Sequence, residues 1–140
     1  MLYLDTSLLV AALSAEAKKH QVQTWLAQQD QSLLAISDWV ISEFSEALSI
    51  KLRTAQITLP YRANMLAAFA QLTAQSLVVW PVAGNQFRAA AKFAEQYLLG
   101  LRAGDALHLA ISADRGATLC TLDRGLADAG NALGVKTLLL

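Results

Sequence analysis

Short apolar runs alternate with longer amphipathic stretches along this chain of 140 residues, a pattern that predicts strands joined by helices. Leu2–Leu4 reads as a buried first strand, and Thr6 or Ser7 can cap the short helix whose apolar body is Leu8–Leu13. Ala17–Gln29 carries Val22, Trp25 and Leu26 on one helical stripe. Leu33–Ile36 is a brief strand, with Ser37 or Asp38 as N-cap of a helix at about Trp39–Arg53. Thr58 caps another helix that tolerates Pro60 in its first turn and runs to about Ala74. Leu77–Trp80 is a third strand. Asn85 opens a long helix that ends near Leu99–Gly100, where glycine supplies a stop. Ala103 or Gly104 starts the helix that runs to Arg115–Gly116. Strand Ala117–Thr121, helix Gly125–Leu133 and strand Val135–Leu139 complete the order.

No linker, repeat or low-complexity tract interrupts this succession, so residues 1–140 form a single domain. Strands joined by helices imply an α/β fold with a mostly parallel central sheet flanked by helices and right-handed crossovers. In such sheets, sites gather outside the carboxyl ends of the strands.

Composition narrows the class. Hydrophobic residues make up 55% of the chain and charged residues 16%, which favours a sizeable core over disorder. A mean hydropathy of +0.38 is high for a soluble monomer. Yet no apolar stretch approaches the roughly 20 residues that span a bilayer, and Asp5 interrupts the start before any signal-peptide pattern can form. The expectation is a cytoplasmic protein with part of its apolar surface covered by partners and no membrane association. Net charge is zero, eleven acids balancing eleven bases, so no strongly basic nucleic-acid binder is indicated, although a local patch can still act. The single Cys120 forms no internal disulfide and reads as an inert core thiol in a reducing compartment.

Four acids carry the candidate chemistry. Asp5 follows the first strand and Asp123 follows the strand at 117–121, while Glu43 and Asp105 lie on helices that begin at the same sheet edge. Taken singly, each has a structural explanation: Asp5 as a helix cap, Asp105 as a first-turn acid, Asp123 as a turn residue, Glu43 as a solvated side chain. Taken together, acids embedded in apolar surroundings need a partner or a function. Clustered carboxylates repel each other unless a cation neutralises them, and hard cations such as Mg²⁺ or Mn²⁺ prefer oxygen ligands. Hydroxyls of Thr6, Ser7 and Thr121 lie beside the acids and can orient them.

Other residues weigh less. Arg102 and Arg124 flank Asp105 and Asp123 and are candidates for holding a phosphate, with a salt bridge as the equal alternative. Glu46 shares a helix side with Glu43 and reads as solvated or ion-paired; Asp38 reads as a cap and Asp128 as surface. Lys51 and Arg53 complement a helix dipole. His108 reads as packing on its helix, and Trp25, Trp39 and Trp80 as core or interface. Neither a Walker A loop nor GxGxxG occurs. A receiver-like binding module fits poorly, because Asp5 stands alone after its strand.

Four stretches, LYLDTSLLVA at 2–11, ISEFSEAL at 41–48, LRAGDALHLA at 101–110 and TLCTLDRGLA at 118–127, resemble the PIN-domain nucleases, and among them the VapC-type toxins of toxin–antitoxin systems. The resemblance places that family's acids on Asp5, Glu43, Asp105 and Asp123. It implies a PIN-like three-layer sandwich and a Mg²⁺- or Mn²⁺-dependent endoribonuclease that binds its metal through those four acids. It also implies a structured RNA substrate such as tRNA or rRNA, a cognate antitoxin and a homodimer. A PIN-type nuclease of RNA maturation or DNA processing is the alternative within the same resemblance.

Overall fold

A computed structural model describes residues 1–140. Five strands form one sheet: β1 (Leu2–Leu4), β2 (Leu34–Ser37), β3 (Val78–Trp80), β4 (Thr118–Thr121) and β5 (Thr137–Leu139). Their spatial order is β3-β2-β1-β4-β5, and every neighbouring pair is parallel. The sheet is thus wholly parallel, where the sequence pattern required only that it be mostly so. Seven helices connect the strands: α1 (Thr6–Leu13), α2 (Lys19–Ala27), α3 (Asp38–Arg53), α4 (Leu59–Ser76), α5 (Gly84–Ala94), α6 (Ala103–Arg115) and α7 (Arg124–Ala132).

The chain winds outwards from β1 to β2 and β3, then returns to β4 on the other side of β1 and continues to β5. Right-handed crossovers therefore put α1–α4 on one face and α5–α7 on the other, giving three layers. Helix contacts divide in the same way, with α1 against α2, α3 and α4, and α5 against α6. The winding direction reverses between β1 and β4, and a crevice opens at the carboxyl ends of strands flanking such a reversal. Leu4 pairs with Cys120 across this point, so the residues that leave β1 and β4 emerge side by side.

The core explains the apolar spacing. Tyr3, Leu4, Ile36 and Leu119 from the strands meet Leu8, Leu9, Phe44, Leu48, Leu109 and Ile111 from the helices, all fully buried. Phe44 of α3 stacks on Phe69 of α4 at 4.1 Å between ring centroids, which joins the two longest helices. Cys120 lies in this core, and burial pushes its thiol up to about 12, as an inert cysteine requires.

Three local expectations change. The N-cap of α1 is Asp5 itself, whose side chain accepts from the Leu8 N–H, rather than Thr6 or Ser7. Ser37 occupies the N-cap position of α3 but makes no capping hydrogen bond. The long helix expected to reach Leu99 stops at Ala94; a separate 3-10 turn follows at Tyr97–Leu99, closed by Gly100 in the left-handed region at φ 63°.

Helix α7, which carries the Asp123 cap, sits tightly against β5. A Cβ at Gly130 would lie 2.4 Å from Thr137 Cγ2 and 2.9 Å from Leu109 Cδ2. Thr137 cannot yield cheaply, since its hydroxyl is held between Asn131 Oδ1 at 2.9 Å and Ala127 O at 3.2 Å, which share its one proton. Gly130→Ala is therefore expected to destabilise the fold by about 1–3 kcal/mol, overpacking outweighing the gain of about 1 kcal/mol in helix propensity. Urea unfolding measures this, and an unchanged or raised midpoint would show that the contact relaxes.

Candidate functional site

The structure brings the four acids to one rim, each by a different route. Asp5 is 3% exposed at the exit of β1, where its N–H donates to Cys120 O at 3.1 Å. Oδ1 accepts from Ser7 Oγ at 2.6 Å and Leu8 N at 3.2 Å, and Oδ2 from Thr121 Oγ1 at 2.5 Å. Ser7 and Thr121 are themselves fixed, accepting from the N–H groups of Leu122 at 3.1 Å and Asp123 at 3.0 Å. The loop after β4 is thereby tied to the loop after β1. Burial pushes the Asp5 carboxyl above the ordinary range, against the opposing influence of the His108 ring and the three donors.

Glu43 projects from the second turn of α3 and is half-buried. Its Oε1 accepts from Thr6 Oγ1 at 2.7 Å and bonds His108 Nε2. Burial, the largest single influence, pushes Glu43 up; the His108 bond and the nearness of its ring, with help from Thr6 and Trp39, reverse that and hold it below the ordinary range. The indole Nε1 of Trp39 is buried without a hydrogen-bond partner in normal geometry, close enough to favour the ionised carboxylate. Gly104 closes this side. A Cβ there would stand 3.1 Å from Glu43 Oε2 and 3.3 Å from Trp39 Cζ2. Beyond Trp39 and Gly104 lies an apolar cavity of about 210 Å³ against Phe87 and Ala90 of α5.

Asp105 sits in the first turn of α6, and Asp123 is the N-cap of α7, its Oδ1 accepting from Leu126 N at 3.2 Å. Asp105 is half-buried and its pKa is raised, first by burial and then by the charges of Asp123, Glu43 and Asp5, with His108 opposing. Those electrostatic partners are the other three candidate acids, so all four share one field. A neighbouring cleft of about 380 Å³ is lined in part by Thr6, Ser7, Leu122 and Asp123.

No Lys or Arg neutralises this field. The ion pairs in the chain join Lys51 to Glu16 and Lys92 to Glu95, both away from the rim, and Glu43 meets only the His108 ring. Arg102 and Arg124 are exposed beside the rim and form no ion pair, so the salt-bridge alternative for them does not hold. Hydroxyls do the holding instead: Thr6 on Glu43, Ser7 and Thr121 on Asp5. No three of the acids stand close enough to form a ready-made metal cage. The donor set nevertheless suits a hard cation, because Mg²⁺ keeps several waters and takes only one or two carboxylates directly.

Among the remaining sequence candidates, Glu46, Asp38 and Asp128 are exposed. Lys51 pairs with Glu16 at 2.9 Å. Trp80 is core, stacked on Tyr3 at 5.8 Å with the Arg115 guanidinium 5.1 Å from its ring centroid. His108 does more than pack, since it contacts Glu43 directly. Its position three residues after Asp105, on the same side of α6, was the available signal.

Uncompensated charge has a measurable consequence. Only burial and neighbouring charges shift Asp105, so an amide in its place forfeits no hydrogen bond. Its folded value lies above the ordinary 3.8, so its contribution to stability is fully present below pH 3.8 and is lost as pH rises through the folded value. In metal-free buffer, Asp105→Asn is expected to melt above the wild type at neutral pH, with the two curves converging in acid. Equal or lower melting of the variant at neutral pH would remove the repulsion account.

The PIN domain profile matches residues 2–132. Solved structures share the fold. FitAcB from Neisseria gonorrhoeae is 16% identical, with 99% of this chain and 96% of that chain covered at a TM-score of 0.71. VapC20 from Mycobacterium tuberculosis, described as a sarcin-ricin loop cleaving toxin, is 17% identical, with 93% and 95% covered at 0.77. VapBC2 from Rickettsia felis, solved bound to a DNA fragment from their promoter, is 18% identical, with 100% and 99% covered at 0.68. No curated protein matches the chain by sequence. With nearly its whole length matched by the family profile and its acids on one rim, this chain belongs to the PIN domain family.

Proposed function

We propose that the chain is a divalent-cation-dependent endoribonuclease and the toxin of a VapBC-type pair, held by a cognate antitoxin. The observation that carries the nuclease reading is the rim of four carboxylates that no lysine or arginine offsets. The likeness to VapC20 and to VapBC2 supports the toxin assignment. Exposed apolar side chains at Phe87, Tyr97 and Leu98 fit a homodimer or an antitoxin contact.

Asp5, Glu43, Asp105 and Asp123 would hold Mg²⁺ or Mn²⁺, which supplies Lewis acidity to the phosphoryl group and lowers the pKa of an attacking water. The chain's own part is orientation. Asp5 is fixed through both oxygens, Oδ1 by two donors and Oδ2 by one, which leaves a lone pair free on Oδ2. Glu43 is fixed through Oε1, which leaves Oε2 directed past Gly104. Asp123 caps α7 through Oδ1 alone and keeps Oδ2. Arg102 and Arg124, unpaired at the rim, would receive the RNA phosphates that the acids repel. Hydrolysis without a covalent intermediate fits, because no serine–histidine–aspartate arrangement occurs at the rim.

Purified protein is expected to cut total RNA with Mg²⁺ or Mn²⁺ and to stop when EDTA is added. Asp5→Asn and Asp105→Asn should each lower the rate by at least about 100-fold, the upper end of what substitutions outside the metal's direct ligands cost. Expression of the wild type should arrest growth, and co-expression of a cognate antitoxin should relieve it. Absence of cleavage with both cations, or an Asp5→Asn protein as active as the wild type, would sink the reading.

A further inference from the structure

We propose that His108 is a positioning residue: a buried hydrogen-bonded chain, Ser37–Tyr3–His108, locks the imidazole so that Nε2 holds Glu43 in register with the rim. This deepens the nuclease reading above and rests on it where Glu43 is assigned a part in catalysis. The chain of contacts is continuous. Ser37 Oγ lies 2.8 Å from Tyr3 Oη, Tyr3 Oη lies 2.9 Å from His108 Nδ1, and His108 Nε2 bonds Glu43 Oε1. Tyr3 and Ser37 are 0% exposed and His108 is 2% exposed.

The direction of the bonds follows from the last acceptor. An ionised carboxylate has no proton to give, so Nε2 must carry the hydrogen. In the neutral ring Nδ1 then accepts from the Tyr3 hydroxyl, and Tyr3 accepts from Ser37. Each polar group of the chain is satisfied, and the ring has no second orientation that preserves both bonds.

Packing alone does not explain this arrangement. Three polar side chains are placed inside a core of aliphatic and aromatic residues, where apolar groups of similar shape would serve at less desolvation cost. Ser37 is also diverted from its local role. It stands at the N-cap of α3, where a serine hydroxyl normally stabilises the helix by accepting from its first turn, yet it bonds Tyr3 and leaves the cap unmade. A local rule broken without local gain points to function. The chain begins at the start of the helix that carries Glu43 and ends on Glu43 itself. It crosses β1 and α6, and α6 also carries Asp105. A glutamate side chain is long and loses substantial rotamer freedom when fixed. Thr6 supplies one bond to it, and His108 supplies the second from the opposite face of the sheet.

Two variants and one spectrum test this. His108→Leu removes the donor and keeps bulk, while His108→Gln places an amide N–H near the Nε2 position. With an RNA that the wild type cuts, His108→Leu should lower kcat about 10–100-fold with KM nearly unchanged, and His108→Gln should recover most of the loss. In a Glu43→Ala background His108→Leu should have no further effect. Leucine and glutamine variants that lose activity equally, a leucine variant as fast as the wild type, or losses that multiply with Glu43→Ala would each overturn the proposal. Nitrogen NMR of the His108 ring decides independently of activity: a hydrogen on Nε2 whose signal shifts on Glu43→Ala is expected. A proton on Nδ1 alone, or a signal indifferent to Glu43, overturns it. Should the wild type cut no RNA, the nuclease reading fails while the spectrum still settles the His108–Glu43 contact.

Discussion

A carboxylate buried where a strand ends must find donors or lose its charge, and Asp5 organises much of this molecule around that requirement. Its two oxygens reach forward into α1 and sideways to β4, so one side chain caps a helix and staples the two central strands. The donors it takes, Ser7 and Thr121, in turn accept from the backbone after β4. Asp123 is therefore presented by the same hydrogen-bond system that fixes Asp5. The crevice at the reversal of strand order is a general property of parallel sheets; its acidic lining here depends on these few bonds.

Neutral donors rather than cationic ones hold the acids, and that choice has electrostatic consequences. A lysine or arginine would stabilise the carboxylates and consume their charge. A hydroxyl fixes orientation and leaves the negative field intact. Burial and mutual repulsion then raise Asp5 and Asp105, while His108 and its companions lower Glu43. The rim is thus unequal in its affinity for protons, and its residual charge is available to a cation. Stability is given up at the rim, where the proposed metal-dependent chemistry would need the charge.

The polar chain from Ser37 to Glu43 extends the same logic into the core. It links the sheet, the helix that carries Glu43 and the helix that carries Asp105. Apolar contacts set distance but tolerate rotation of a long side chain, whereas a directed hydrogen bond from a fixed ring does not. Gly104 and Trp39 complete the enclosure from the other side.

Much of this was legible in the sequence because it is written locally. Apolar runs of strand length and stripes of helical spacing gave all five strands and seven helices to within a few residues, apart from α5, which ends at Ala94 because a 3-10 turn takes over at Tyr97. The four acids and the three hydroxyls stood out because each adjoins a strand end or a buried helix. What the sequence could not decide lies between residues far apart in the chain. Strand order places Asp5 beside Thr121, 116 residues away. His108 reaches Glu43 across 65 residues and Tyr3 across 105, contacts that no periodicity encodes. By itself the sequence determined which elements form and which side chains could bear charge, since both follow from neighbours along the chain. The tertiary structure alone decided which hydroxyl holds which acid, and that a buried histidine faces Glu43, because hydrogen bonds are directional and only the folded sheet brings those atoms within reach.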